Sequence, residues 1–200
     1  MEYYHNLITE KSFKTLQDFK RQYKFILIGG WAIFLYTKAL KSKDIDVVIE
    51  YDELEKLKKN FPLFKNERLK KYEIKTEEID IDLYLPFYSN PGIPAEEIKK
   101  YTQGIEGFVV PRPEILLILK QRALFERIGS PKGEKDKIDI ISLLNFGLDF
   151  KFYKKILRKY NIEKYPGELK NILQSVTQVQ ELKLNQFRYS KLKKKTLRQL

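Results

Sequence analysis

The sequence predicts a mixed α/β half over residues 1–110 followed by a helical half over 111–200. Three observations carry this reading. Short apolar runs bounded by glycine, aspartate or proline punctuate the first half, as the strands of a small sheet do. One of these runs ends in Gly29-Gly30 and passes straight into helix formers. After Val109-Val110 the apolar residues recur at helical spacing almost to the C-terminus.

The elements follow in order. Residues 7–22 predict a helix, with Leu7, Phe13, Leu16 and Phe19 at helical spacing. Residues 23–28 are a buried strand stopped by Gly29-Gly30, and 31–40 a helix. Residues 44–51 alternate and then turn apolar, giving a second strand. Residues 52–61 predict a helix whose acidic first turn suits the helix dipole. Residues 71–75 and 78–85 are two more strands, the latter ended by Pro86. The Pro- and Gly-rich segment 86–107 holds a short helix near 94–101. Residues 111–128, 134–146, 150–160, 166–179 and a final stretch to Leu200 read as helices, with Pro113 and Pro166 at first-turn positions.

Composition narrows the chemistry. At 42% hydrophobic and 33% charged residues, the 200-residue chain is globular and long enough to bury a core. It contains no cysteine, which excludes disulfide scaffolds, cysteine nucleophiles and thiolate metal sites. The single histidine, His5, argues against a histidine zinc site or a serine–histidine triad, and reads as a surface residue. The N-terminus lacks the basic start and apolar run of a signal peptide. The longest apolar runs, 25–28 and 115–119, fall far short of the roughly 20 residues of a spanning helix. A soluble cytoplasmic protein is expected, with its chemistry left to acidic side chains and backbone amides.

The charge is unevenly placed. Of the net +12, residues 151–200 contribute +11, from 14 Lys+Arg against 3 Asp+Glu. The densest run is 191–198, and Phe152, Tyr153, Tyr160, Tyr165, Phe187 and Tyr189 are interleaved with the cations. A solvated helix end gives such a run; so does a surface for RNA or DNA, where cations meet phosphate and rings stack on bases.

Three features stand in one order. Gly29-Gly30 closes a strand and opens a helix, so backbone amides face outward with no side chain in the way, a geometry suited to phosphate. Ser42-Lys43-Asp44-Ile45-Asp46 begins a strand, and period two puts Asp44 and Asp46 on one face. Asp80 and Asp82 share a face of a later strand. Clustered carboxylates repel unless a cation sits between them, and an all-oxygen set suits Mg²⁺ or Mn²⁺. Taken singly, each Asp-x-Asp also fits an exposed acidic edge strand, and a Gly-Gly turn is commonly structural.

This order of motifs resembles the DNA polymerase β-type nucleotidyltransferase superfamily. Within it, Gly29-Gly30-Trp31-Ala32 followed by Ser42-Lys43-Asp44-Ile45-Asp46 resembles the small prokaryotic branch that includes AbiEii-type abortive-infection toxins. Lys120, Arg127 and the segment 135–140 (KDKIDI) are similar to that branch's later helical motifs. The resemblance covers about residues 25–145; residues 150–200 lie outside it.

The resemblance implies an α/β fold with a small mixed, mostly antiparallel sheet of the nucleotidyltransferase type, helices on one side of it, and a helical C-terminal region. It implies a catalytic domain over 1–110 and a helical domain with a basic tail over 111–200. It implies Mg²⁺- or Mn²⁺-dependent transfer of a nucleoside monophosphate from an NTP to an acceptor hydroxyl. In that scheme Gly29 and Gly30 cradle the triphosphate, and Ser42 donates a hydroxyl to it. Asp44 and Asp46 bind both of two metal ions, and Asp82, with Asp80 as the alternative, is the third acid, which binds the catalytic ion and acts on the attacking hydroxyl. Lys120 reaches the triphosphate or is simply a lysine snorkelling from an apolar helix. Asp136 and Asp139 read as structural, capping the helix or pairing with Arg127 or Lys120. Trp31 reads as core. The +11 segment favours an RNA or tRNA-end acceptor, and the toxin-like branch implies a toxin–antitoxin pairing with a protein antitoxin. Transfer to a protein or small-molecule acceptor, and a non-catalytic nucleic-acid-binding protein on a degenerate scaffold, are the alternatives.

Overall fold

A computed structural model describes residues 2–200. Helix α1 (Glu2–Gln22) leads into β1 (Ile26–Ile28), α2 (Gly29–Thr37), β2 (Ile45–Val48), α3 (Tyr51–Asn60), β3 (Phe64–Asn66), β4 (Lys71–Lys75) and β5 (Asp80–Tyr84). A short helix α4 (Ala95–Ile98) precedes a hairpin of β6 (Thr102–Ile105) and β7 (Phe108–Pro111). Five helices complete the chain: α5 (Pro113–Glu126), α6 (Pro131–Phe146), α7 (Phe150–Lys159), α8 (Tyr165–Ser175) and α9 (Gln186–Leu197).

The main sheet runs β1-β2-β5-β4-β3. Its β2–β5 pair is parallel and its other pairings are antiparallel, so the mixed, mostly antiparallel sheet is as expected. The parallel pair positions the site. Its register sets Asp46 beside Asp82 and, one step either way, Ile45 beside Ile81 and Val47 beside Leu83. Ile45, Val47, Ile81 and Leu83 are buried in the core. Because side chains alternate along a strand, the two aspartates face the opposite side of the sheet.

Helix α5 is apolar on every side through residues 115–119, all of them buried, and this is the pattern of a central helix. It packs against α2, α6, α7 and α8. One core runs from Leu16 of α1 to Tyr189 of α9. Trp31 belongs to that core, with its Nε1 donating to Ser12 Oγ at 2.9 Å. Helix α7 turns Phe150, Tyr153, Ile156 and Leu157 inward and its cations outward.

The structure adds elements and moves boundaries. The glycines form the first turn of α2 rather than preceding it. β3 is a three-residue edge strand paired to β4. The β6–β7 hairpin turns on Glu106-Gly107, both at positive φ, as a two-residue type I′ loop requires. The final stretch is not one helix. It breaks at a 3-10 turn over Gln180–Leu182, and α9 restarts where the Asn185 side chain accepts from the Arg188 amide. Among the described residues no helix is long and apolar enough to cross a membrane. The His5 side chain, read as a surface residue, lies outside the described set.

Candidate active site

The site begins at the β1–α2 turn. Gly29 has φ +67, a left-handed conformation that glycine adopts freely, and a Cβ there would fall on the Asp46 carboxylate. A Cβ on Gly30 would meet Ser42 Oγ at 2.7 Å. The Gly-Gly pair is thus fixed by two of the predicted site residues lying against it. Among the described residues no side chain caps the start of α2, so its first-turn amides are left for another partner.

A cavity of about 220 Å³ opens between this face of the sheet and α5. Gly29, Asp46, Asp82 and Lys120 line it, together with Lys71, Tyr84, Arg68, Arg122 and Arg127 and an apolar wall that includes Leu69, Leu116 and Leu119. Not every predicted residue is among the lining. Asp44 stands just before β2, where it accepts from Lys132 Nζ of α6 at 3.1 Å. Asp80 opens β5 opposite Lys75, one alternation away from Asp82. Ser42 is buried behind Gly30.

Electrostatics distinguish the carboxylates. Burial pushes the Asp46 carboxyl above its ordinary range; Lys120 and Lys71 pull it back, Asp44 adds to the rise, and Arg127 opposes it. Burial and then the neighbouring Asp46 raise Asp82 to about 7, against the pull of Lys71. Two adjacent half-buried carboxylates of this kind are incompletely neutralised by the protein itself. Burial also drives the Tyr84 phenol well above its ordinary value, with Asp46 and Asp82 adding to the effect.

On the α5–α6 side the charges are closely matched. Lys120 Nζ donates to Asp136 Oδ1 at 2.9 Å and lies 2.8 Å from Asp139 Oδ2. Arg127 grips Asp136 through Nε at 2.5 Å and Nη2 at 2.9 Å. Burial alone would lower the Lys120 pKa, but Asp139 and Asp136 outweigh it and the ammonium is held charged. Buried Lys120, Asp136 and Asp139, with part-exposed Arg127 at the edge, therefore form a network that ties α5 to α6 beside Asp46, as the pairing reading expected.

Sequence reasoning missed Lys71. It pairs with Asp82 at 2.5 Å and with Glu73 at 3.3 Å. The signal was the period-two strand 71–75, in which Lys71 and Glu73 share a face. Reading it further required knowing that β4 lies next to β5. Lys132 and Asp44 are 88 residues apart, and no local pattern joins them.

The C-terminal cations are largely without acidic partners. Of the 14 Lys and Arg in residues 151–200, Lys159 pairs with Glu97 and Lys164 with Glu168. The other twelve have no carboxylate within ion-pair distance among the described residues. Lys151, Lys154, Lys155, Arg158 and Lys159 line one groove along α7. The interleaved aromatics are not the stacking platform that the sequence invites. Tyr153, Tyr165 and Tyr189 are buried. Phe152 lies under Arg112, and Tyr160 donates to Glu97. Phe187 is the exposed ring of the set. The helix period explains this, since the rings of α7 occupy the inward positions of an amphipathic face.

No protein-family model matches the sequence, and no curated protein matches it. Solved structures do match the fold. The chain aligns over 96% of its length with 96% of a Helicobacter pylori protein described as a candidate nucleotidyltransferase, at TM-score 0.51 and 15% identity. JHP933 of Helicobacter pylori aligns over 96% of this chain and 94% of that one, at TM-score 0.49 and 15% identity. An antigenic nucleotidyltransferase-like protein from Paracoccidioides brasiliensis aligns over 89% and 93%, at TM-score 0.46 and 18% identity. At these identities the likeness concerns the fold. The mixed five-stranded sheet with its helices and helical C-terminal region is a nucleotidyltransferase-like fold.

Proposed function

We propose that the chain is a divalent-metal-dependent nucleotidyltransferase that moves a nucleoside monophosphate from an NTP to an acceptor hydroxyl and releases pyrophosphate. One observation carries the reading. Asp46 and Asp82 stand side by side on parallel strands at the wall of a cavity, with the glycine turn of α2 packed against Asp46.

Among the described residues no three His, Asp or Glu side chains converge as a ready metal cage. The donors present nevertheless fit a hard divalent cation. They are adjacent all-oxygen ligands whose shared burial disfavours two bare negative charges. Asp46 and Asp82 would hold it, with Asp44 joining from the residue before β2. Such an ion, when bound, supplies charge neutralisation at the phosphates and at the attacking oxygen.

The chain's own residues do the rest. The amides at the start of α2, left open by Gly29 and Gly30, hold triphosphate oxygens, with the Ser42 hydroxyl beside them. Lys120, tied down by Asp136 and Asp139, acts from the cavity wall as a fixed positive charge. The acceptor oxygen attacks the α-phosphorus and forms a new P–O bond. The bond from that phosphorus to the bridging oxygen breaks, and pyrophosphate leaves with the electron pair. The hydroxyl proton passes to the Asp82 carboxylate. Most of the acceleration comes from positioning and charge. Residues 1–110 supply the carboxylates and the glycine turn, and residues 111–200 form the helical part, which contributes Lys120.

For the acceptor we favour RNA, because twelve C-terminal cations lack acidic partners and five cations line one groove of α7. A toxin–antitoxin role with a protein antitoxin draws on the sequence resemblance alone. The test is pyrophosphate release from each NTP with Mg²⁺ and total RNA. Release that needs RNA and vanishes in Asp46→Asn supports the reading. Binding of RNA without release from any NTP, unchanged by Asp46→Asn, favours a degenerate scaffold.

A further inference from the structure

Lys71 is a buried lysine that the mechanism above does not use. It opens β4, and its side chain shares a face with Glu73, which stands directly opposite Asp82 in the β4–β5 register. Its ammonium lies 2.5 Å from Asp82 Oδ2 and 3.3 Å from Glu73 Oε1. Glu73 has further partners, since Asn66 donates to it at 2.8 Å and Lys75 pairs with it at 3.3 Å. Asp82 does depend on it. Among the described residues Lys71 is the cation in ion-pair contact with Asp82, and Asp46 has none. Two other cations of the cavity wall are committed elsewhere: buried Lys120 to Asp136 and Asp139, and part-exposed Arg127 to Asp136. Lys71 is also rooted on a sheet strand, so its charge cannot diffuse away as a bound ion can.

We infer that Lys71 is a built-in counter-cation of this site: it holds one side of the Asp82 carboxylate, so the Asp46–Asp82 pair takes one divalent ion rather than two. The inference rests on the metal-binding reading of Asp46 and Asp82. In this role Lys71 is a positioning residue. It fixes the Asp82 carboxylate on the Asp46 side and supplies a positive charge without exchange. It also competes with an incoming ion for Asp82, because two cations within a few ångströms repel strongly in a partly buried site.

The experiment titrates metal-free full-length protein with Mn²⁺ alone and counts free ion by electron paramagnetic resonance. Wild type, Lys71→Met, Lys71→Gln, Lys71→Arg and the double variant Lys71→Met/Asp46→Asn are compared, each checked by its melting curve. Wild type takes one Mn²⁺ per chain at this site. Lys71→Met and Lys71→Gln bind it about tenfold more tightly or better, Lys71→Arg stays with wild type, and the double variant loses the site. A purely structural lysine would give the opposite sign, since a loosened site binds more weakly. Two Asp46-dependent ions in wild type, or no tightening in both neutral variants, overturns the inference and leaves the metal reading standing. No Asp46-dependent Mn²⁺ in any protein overturns the metal reading and this inference with it.

Discussion

Replacing Asp82 with Asn tests the electrostatics of the site without any substrate. The Asp82 carboxyl is raised from an ordinary 3.8 to about 7, first by burial and then by Asp46, with Lys71 pulling the other way. A carboxylate whose pKa is higher folded than unfolded binds its proton more tightly in the native state. Its stabilising contribution is therefore complete below pH 3.8 and is lost as pH rises towards 7. At 1.36 kcal/mol per pH unit the gap amounts to about 4 kcal/mol by pH 8. Asparagine resembles the protonated acid at every pH and does not incur this loss. The two proteins should thus match near pH 4, and Asp82→Asn should become the more stable by about 2–4 kcal/mol at pH 8. Groups remote from Asp82 change both proteins alike and cancel in the difference, whereas Asp46 and Lys71 respond to the lost charge and set the width of that range. The assay is urea unfolding in EDTA at several pH values between 4 and 8. A stability difference that does not grow with pH, or that favours the aspartate at pH 8, refutes the reasoning.

Other consequences follow from the same geometry. Gly29→Ala forces a side chain into positive φ and onto the Asp46 carboxylate, so it should cost about 2 kcal/mol or more and abolish Asp46-dependent Mn²⁺ binding; calorimetry and Mn²⁺ titration check both effects. Lys120→Met strands Asp139 as a buried carboxylate between α5 and α6 and leaves Asp136 to Arg127 alone, and should destabilise by about 3–5 kcal/mol in chemical unfolding. Changing Lys154, Lys155 and Arg158 together to Gln should flatten the dependence of log RNA affinity on log salt by roughly 2, while leaving the melting temperature in place. An unaltered slope removes α7 from the RNA surface.

Much of the fold could be read locally. The strand–glycine–helix passage, the two Asp-x-Asp strands and the proline-started helices each carry their own signal within a few residues. What escaped the reading depends on long-range pairing. The Glu106-Gly107 turn lacks an asparagine or aspartate signal, so its hairpin went unseen although its backbone obeys the usual I′ rule. Strand register, which no local pattern reveals, places Asp82 rather than Asp80 beside Asp46. Lys71 acquires meaning only once β4 is known to lie against β5. The aromatics of α7 show the reverse. Phe150, Tyr153 and Ile156 lie at inward helical spacing, and this periodicity, weighed before their nearness to lysines, assigns them to the core.

The most direct test of nucleotidyl transfer at the Asp46–Asp82 face is label transfer. Purified protein is incubated with each α-³²P-labelled NTP, Mg²⁺ or Mn²⁺, and total RNA, total protein or no acceptor, with Asp46→Asn alongside. Nucleotidyl transfer at this face puts label on RNA from at least one NTP and none in the variant. Label that persists in Asp46→Asn, or its absence from every acceptor in a protein that also fails to bind NTP, contradicts it.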